Sequence, residues 1–125
     1  MKLVTSTGDF SFYVDTIAEK VKCFKGTKFK YINLEQTGNV PELFSENEDD
    51  WRKLADDFGE AAAYSNIKYV VSHAPCVNVF KDFNEETYNI NLRAVKRSIE
   101  ICNVLGIDQI VVHSCPNKNF TFSTQ

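Results

Sequence analysis

The chain has 125 residues, of which 43% are hydrophobic and 25% are charged, and its formal net charge is −3. This composition is ordinary for one globular domain, and we expect a single domain over residues 1–125. No apolar run approaches the roughly 18 residues of a membrane-spanning helix, and the first six residues are too polar for a secretory signal. The small negative charge argues against nucleic-acid binding, which needs clustered Lys and Arg. We therefore expect a cytoplasmic protein with a small-molecule partner.

Short segments rich in β-branched and aromatic residues alternate with longer amphipathic segments. Strands are predicted at residues 2–6, 30–35, 68–73 and 109–113. Residues 69–71 and 110–112 are apolar without alternation, which is typical of parallel strands that are covered on both faces. The sequence therefore predicts a parallel sheet.

Three amphipathic helices are predicted between these strands. Their apolar residues recur at helical spacing: Ile17, Val21 and Phe24; Trp51, Leu54, Phe58, Ala61 and Ala62; Leu92, Val95, Ile99, Cys102 and Leu105. Ser45 with Glu48 indicates a capping box at the second helix, and Asn84 is expected to cap the third. Residues suited to a left-handed conformation follow the three helices: Gly26, Asn66 and Gly106. Three basic side chains are expected on the solvated face of the third helix: Arg93, Lys96 and Arg97.

The order of elements, β-α-β-α-β-α-β, predicts an α/β fold. Right-handed crossovers would place the strands parallel in one sheet. Four strands and three helices match the first half of a TIM barrel, whose complete form needs about 250 residues. Residues 114–125 carry no helical stripe. We therefore expect a parallel-stranded (β/α) half barrel that is a fragment or closes with another copy, with an open doubly wound sheet as the alternative.

Both histidines of the chain stand at the carboxyl ends of predicted strands. His73 and His113 each end a strand that contains a Val-Val pair, and Glu35 holds the same place on the second strand. In a parallel α/β sheet this edge faces the ligand crevice. A single histidine there often only bonds a loop carbonyl, but two in equivalent positions favour function. Imidazole is a common ligand of zinc, manganese and iron and titrates near neutral pH.

Cysteines near the histidines leave a second interpretation open. Cys76 follows His73 by three residues and Cys115 follows His113 by two, so the two loops offer a His₂Cys₂ zinc set. Free loop thiols are the simpler interpretation. Cys102 lies on the third apolar stripe and is expected in the core. The chain has four cysteines, too few to staple the fold, and a reducing cytosol would keep them as thiols.

The segments around the histidines resemble one known superfamily. They are residues 71–75 (VSHAP) with Asn78, the helix at 91–99, and residues 105–107 and 110–113 (LGI and IVVH). Together they resemble the amino-terminal half of the xylose-isomerase-like TIM barrels. That superfamily includes sugar phosphate isomerases and epimerases and also the endonuclease IV family. The resemblance spans essentially the whole chain, and HAP and VVH are its specific parts.

This resemblance implies roles for the same three side chains. His73 and His113 match zinc ligands of the endonuclease branch, and in the isomerase branch they line the substrate pocket near a divalent metal (Zn²⁺, Mn²⁺ or Mg²⁺). Glu35 matches a carboxylate at the rim of the second strand in many members. Residues 114–116 (SCP) depart from the pattern, because a glycine commonly follows the fourth-strand His-Pro. The four later strands, which carry the catalytic glutamates, are absent from these 125 residues.

Three functions follow as expectations. The first is a sugar phosphate isomerase or epimerase that, when complete, moves a proton on a small sugar with the help of a divalent metal. The second is an endonuclease IV-like zinc phosphodiesterase acting on DNA, which the acidic composition disfavours. The third is a non-catalytic half barrel that self-associates through its open strand edges.

Overall fold

A four-stranded parallel sheet with helices between consecutive strands forms the fold. The computed structural model describes residues 2–37, 40–75 and 84–113. The strands are β1 (Val4–Ser6), β2 (Tyr31–Glu35), β3 (Lys68–His73) and β4 (Ile110–Val111). The helices are α1 (Ile17–Lys22), α2 (Pro41–Phe44), α3 (Glu48–Ser65) and α4 (Glu85–Leu105), and a 3₁₀ helix (Thr7–Phe10) follows β1. Within these ranges, no helix combines the length and apolarity needed to cross a bilayer.

The strands lie in the order β1-β2-β3-β4, and every neighbouring pair is parallel. This arrangement is an open α/β sheet that resembles half of a barrel, so the predicted fold class is confirmed. The four predicted strands and three predicted helices are all present. Helix α2 was not predicted, because four residues are too few to show a helical period.

A β-bulge in β3 sets which residues face each other across β2 and β3. Ile32 pairs with Tyr69, but Asn33 pairs with Val71, so Val70 is the extra residue. From this point the register places Glu35 opposite His73. Because side chains alternate between faces along a strand, this one-residue shift puts the His73 side chain on the Glu35 face of the sheet.

The helices cover one face of the sheet and form the core with it. Ile32 and Leu34 of β2 are fully buried there, and Phe58 of α3 is fully buried opposite them. On the other face, Asn33 and Glu35 of β2 are only half-buried. Alternation along β2 therefore separates a packed face from an open one.

The expectation that both faces of the sheet are covered is wrong for the described part of the chain. Val71 is half-buried, and Val111 and Val112 are exposed, with Val112 at 49%. Valine-rich strands of this kind are covered on both faces only when other elements pack against the second face. In the described ranges, the helices lie on one face alone.

Local side-chain caps begin the long helices. Asn84 accepts a hydrogen bond from the Thr87 N–H and caps α4 as predicted. The predicted capping box of Ser45 and Glu48 is wrong, because Asn47 is the N-cap of α3. Its Oδ1 accepts from the Asp49 N–H at 3.1 Å. Ser45 instead ends α2 and accepts from the Asn47 N–H.

The left-handed positions that follow the helices are occupied as predicted. Asn66 ends α3 at φ 54° and Gly106 ends α4 at φ 67°. Gly26, four residues beyond α1, has φ 78°. Only glycine, and to a lesser degree asparagine, adopts this conformation without steric cost.

The buried face of α4 differs from the predicted stripe. Cys102 is buried as expected, but Leu92 and Ile99 are 36% and 44% exposed, and Ile101, outside the predicted stripe, is fully buried. Arg97, predicted to be solvated, is only 4% exposed. The reason is that its guanidinium donates hydrogen bonds to the Leu43 and Ser45 carbonyls at the end of α2, so the Arg97 side of α4 faces α2 instead of solvent.

Candidate functional site

The two histidines lie side by side at the carboxyl edge of the sheet. His73 is the last residue of β3, and His113 follows β4 by two residues. Their ring centroids are 5.9 Å apart, and the ring planes make an angle of 28°. His73 is half-buried and His113 is exposed. The parallel pairing of β3 with β4 brings the rings together because both strands end at the same edge.

His73 is joined to Glu35 through a side chain that lies between them. The Nδ1 atom of His73 is 3.1 Å from Oδ1 of Asn33. Asn33 in turn donates from Nδ2 to Oε1 of Glu35 at 3.4 Å. Asn33 and Glu35 are two residues apart on β2 and therefore share a face. All three side chains that the sequence singled out thus belong to one cluster, with Asn33 as its fourth member; we call these four residues the rim cluster.

The turn after β1 holds Glu35 in place. The Glu35 backbone N–H donates to Oγ1 of Thr7 at 3.0 Å, and Thr7 is 1% exposed. Gly8 lies so close that an added Cβ would be 2.6 Å from Oε2 of Glu35. A side chain at position 8 would therefore displace the carboxylate. This turn is therefore a structural support of the rim cluster.

A buried polar cluster lies behind the edge, on the packed face. Gln36 donates from Nε2 to Oγ of Ser72 at 3.0 Å and to the Ser98 carbonyl at 3.1 Å. Ser72 donates to the Leu34 carbonyl at 2.8 Å. Gln36 directly follows Glu35, and Ser72 directly precedes His73. These bonds therefore tie the ends of β2 and β3 to α4, which fixes the backbone from which the rim cluster projects.

Cys102 lies beside this polar cluster and is buried in the core as predicted. Burial raises the pKa of the Cys102 thiol. A thiol held in its neutral form is a poor nucleophile and a poor metal ligand. Cys102 therefore has a packing role.

Sequence reasoning missed Asn33 and Thr7. One signal for Asn33 was available, because a polar residue two positions before Glu35 must share its face of the strand. For Thr7, nothing in the sequence indicated the contact with Glu35. Its contact with Glu35 joins residues 28 positions apart and depends on how β1 pairs with β2.

The chemistry of the rim cluster suits a divalent metal only in part. With Nδ1 engaged by Asn33, His73 has Nε2 available as a ligand, and an oxygen partner on the second ring nitrogen is usual for metal-binding histidines. His113 offers a second imidazole. Within residues 2–37, 40–75 and 84–113, however, no group of three or more His, Cys, Asp or Glu side chains is placed to hold a metal ion. Cys76 and Cys115, the thiols of the His₂Cys₂ interpretation, lie outside the described residues.

The comparisons with known proteins found a similarity of fold alone. No protein-family model and no curated protein match the sequence. The fold is similar to the crystal structure of a sugar phosphate isomerase/epimerase from Parabacteroides distasonis, with a TM-score of 0.45 and 13% sequence identity. The similarity covers 90% of this chain and 42% of that one. The chain thus spans less than half the length of the protein that it matches.

Proposed function

We propose that the rim cluster binds a small sugar or sugar phosphate, and that the chain is the amino-terminal part of an isomerase or epimerase of such substrates. The observation that carries this proposal is the continuous contact from Glu35 through Asn33 to His73 and His113 at the carboxyl edge of three adjacent strands. The substrate class itself comes from the resemblance of the HAP and VVH segments to the xylose-isomerase-like barrels.

The donor and acceptor types of the rim cluster fit a polyhydroxylated ligand. A carboxylate accepts hydrogen bonds from hydroxyl groups, and an imidazole donates through one nitrogen and accepts through the other. Each sugar hydroxyl both donates and accepts, so neighbouring hydroxyls match an alternating set of this kind. Glu35 would accept from one hydroxyl, and His73 and His113 would bind hydroxyls on the adjoining carbons. The three side chains would fix the orientation of the carbon chain over the sheet edge.

When a divalent metal is present, the two imidazoles would be its ligands in place of their bonds to hydroxyl groups, since His73 has only Nε2 free. Such an ion, when bound, polarises a carbonyl and an adjacent hydroxyl, which eases removal of the proton from the carbon that bears that hydroxyl. The remaining ligands and the carboxylates that move the proton would come from outside the described residues. The substrate would then be bound and oriented by His73, His113 and Glu35.

Binding is tested by titrating D-fructose and D-fructose 6-phosphate into ¹⁵N-labelled protein, with and without Mg²⁺ or Zn²⁺. We expect the ring signals of both histidines and the side-chain amide signal of Asn33 to shift on addition of sugar. The His113→Ala and Glu35→Gln variants should each bind at least about tenfold more weakly, the effect of losing one hydrogen bond to a charged or polar partner.

Two substitutions, Glu60→Gln and Gly59→Ala, are matched controls for general damage. Glu60→Gln changes an exposed carboxylate on α3 and should leave sugar affinity unchanged. Gly8→Ala places a methyl group against the Glu35 carboxylate and should weaken binding, whereas Gly59→Ala meets only Leu105, with an ordinary contact at 3.6 Å. If neither sugar shifts the histidine signals under any of the metal conditions, the proposed function is wrong.

A further inference from the structure

Asn33 occupies a position between two groups whose hydrogen-bonding roles differ. On one side lies Oε1 of Glu35, 3.4 Å from Nδ2, and on the other lies Nδ1 of His73, 3.1 Å from Oδ1. An amide group has one donating end and one accepting end. Its orientation therefore decides which role each neighbour must take.

The carboxylate of Glu35 determines this orientation. An ionised carboxylate only accepts hydrogen bonds, so the donating Nδ2 end of Asn33 must face it. The opposite orientation would bring Oδ1 of Asn33 against a carboxylate oxygen, and two acceptors would repel each other. Oδ1 is then left facing His73, and a carbonyl oxygen accepts but does not donate.

We propose that Asn33 is a positioning residue that holds neutral His73 in the tautomer with its proton on Nδ1. Nδ1–H donates to Asn33 Oδ1, and the lone pair of Nε2 is presented at the edge of the sheet. A free neutral imidazole side chain favours the other tautomer, with the proton on Nε2. The hydrogen bonds of Asn33 therefore select the less common form.

Several contacts hold Asn33, Glu35 and His73 in place. Asn33 stands in β2, between paired strands, so its backbone is fixed by the ladders on both sides. Glu35 is held by the Thr7 hydroxyl and by the close approach of Gly8. The His73 ring lies against that of His113 at a small interplanar angle, which limits rotation of the ring away from Asn33. The orientation of His73 thus depends on a chain of contacts that begins in the turn after β1.

The consequence for binding rests on the proposed function. With Nδ1 as donor to Asn33, Nε2 of His73 is an acceptor toward a sugar hydroxyl. A ligand that offers only an acceptor at that point should bind poorly. Replacing the hydroxyl that faces Nε2 by a methoxy group, which keeps the oxygen but removes the donor, should therefore weaken binding by about tenfold.

The tautomer is measured directly by NMR on protein with ¹⁵N-labelled histidine, at a pH at which both imidazoles are neutral. The long-range ¹H–¹⁵N correlations of each ring separate a protonated nitrogen from an unprotonated one. The chain has only two histidines, so the His113→Ala variant assigns the two sets of signals. We expect His73 of the unmodified protein to show a protonated Nδ1 and an unprotonated Nε2.

Two substitutions of Asn33 separate its role from general packing. Asn33→Asp combined with Glu35→Gln, in which a donor on residue 35 replaces the one lost from residue 33, keeps an acceptor beside Nδ1 and should keep the Nδ1–H tautomer. Asn33→Leu has a similar volume but no acceptor and should shift His73 toward the Nε2–H form. Asn103→Leu changes an exposed residue of α4 and should leave both histidines unchanged. A protonated Nε2 on His73 in the unmodified protein would overturn the proposal, as would retention of Nδ1–H in a folded Asn33→Leu variant.

This measurement needs no sugar, so its outcome is independent of the proposed function. If His73 has the Nδ1–H tautomer but no sugar binds, the positioning role of Asn33 stands and the proposed substrate class fails. If sugar binds but His73 carries its proton on Nε2, the substrate class stands and the role of Asn33 fails.

Discussion

Tyr69 shows how strongly one buried hydroxyl is constrained in this core. Its side chain is 4% exposed, and its hydroxyl donates to the Phe58 carbonyl of α3 at 2.9 Å. Burial raises the pKa of Tyr69 well above the ordinary value for a phenol. The hydroxyl also links β3 to α3, so one side chain contributes both apolar burial and a hydrogen bond across the sheet–helix interface.

Because the pKa of Tyr69 is raised in the folded state, the stability that it contributes is fully present below the unfolded-state pKa of about 10 and is lost as the pH rises above it. We expect the free energy of unfolding to fall more steeply above about pH 10 in the unmodified protein than in Tyr69→Phe. At neutral pH, Tyr69→Phe should lose about 1 kcal/mol with the hydrogen bond. Urea unfolding at a series of pH values measures both effects.

Tyr64→Phe is the matched control, because the Tyr64 side chain is 54% exposed. The free energy of unfolding of Tyr64→Phe should depend on alkaline pH in the same way as that of the unmodified protein. If the free energy of unfolding falls with alkaline pH as steeply in Tyr69→Phe as in the unmodified protein, the buried hydroxyl does not ionise on unfolding in the way described.

At the scale of secondary-structure elements, Arg97 connects three helices. From α4, Nη1 donates to the Leu43 carbonyl at 3.1 Å and also to the Ser45 carbonyl, at the carboxyl end of α2. Nη2 lies 2.8 Å from Oε1 of Glu48, in the first turn of α3. The last carbonyls of a helix have no partner within the helix, so a guanidinium is a suitable donor to them. A helix of four residues is too short to persist alone, and Arg97 gives α2 its anchor.

Arg97→Met should lower the free energy of unfolding by about 2–3 kcal/mol, since it leaves carbonyls unpaired while keeping an apolar side chain of similar length. Arg52→Met is the matched control, because Arg52 forms an exposed ion pair with Asp49. Its effect should stay within about 0.5 kcal/mol. Denaturant unfolding of the two variants compares them, and equal effects would show that Arg97 is not an anchor.

The free energy of unfolding of Arg97→Met should also depend less on acidic pH than that of the unmodified protein. Hydrogen bonds from Arg97 and then from Trp51 lower the pKa of Glu48. The stability that results is present above the unfolded-state pKa of about 4.3 and is lost as the pH falls. Without Arg97 this acid-dependent loss should become smaller, although the Trp51 bond retains part of it.

At the scale of the whole molecule, both outer strands of the sheet have an unpaired edge within the described residues. β1 pairs with β2 alone, and β4 pairs with β3 alone. Exposed apolar side chains lie along the same two strands or next to them: Leu3, Val4, Val111 and Val112. Open edges with apolar side chains favour pairing with another chain. We therefore propose that a polypeptide of these 125 residues associates with a second copy through these edges.

Sedimentation velocity over a range of concentrations tests this association. A double substitution, Val4→Lys with Val111→Lys, should shift the polypeptide toward the monomer, because lysine on an edge strand opposes pairing. Val104→Lys, at a position on α4 that is 58% exposed, should leave the distribution unchanged. A monomer at all concentrations in the unmodified polypeptide would contradict the proposal.

The sequence by itself determined the order of elements, the parallel sheet and most helix ends. These features depend on residues close together in the chain: apolar periodicity defines α3 and α4, and single residues such as Asn84 and Gly106 fix where a helix begins or ends. The placement of His73 and His113 at strand ends was likewise visible, because it needs only the strand boundaries.

Only the tertiary structure decided which side chains meet. The bulge at Val70 places His73 opposite Glu35, and without it Ser72 would hold that position. Asn33 reaches His73 across 40 residues of sequence, and Arg97 is buried because carbonyls 52 and 54 residues away accept its hydrogen bonds. A local sequence pattern shows only how apolar residues repeat within one segment, whereas these contacts arise from the register and packing between segments.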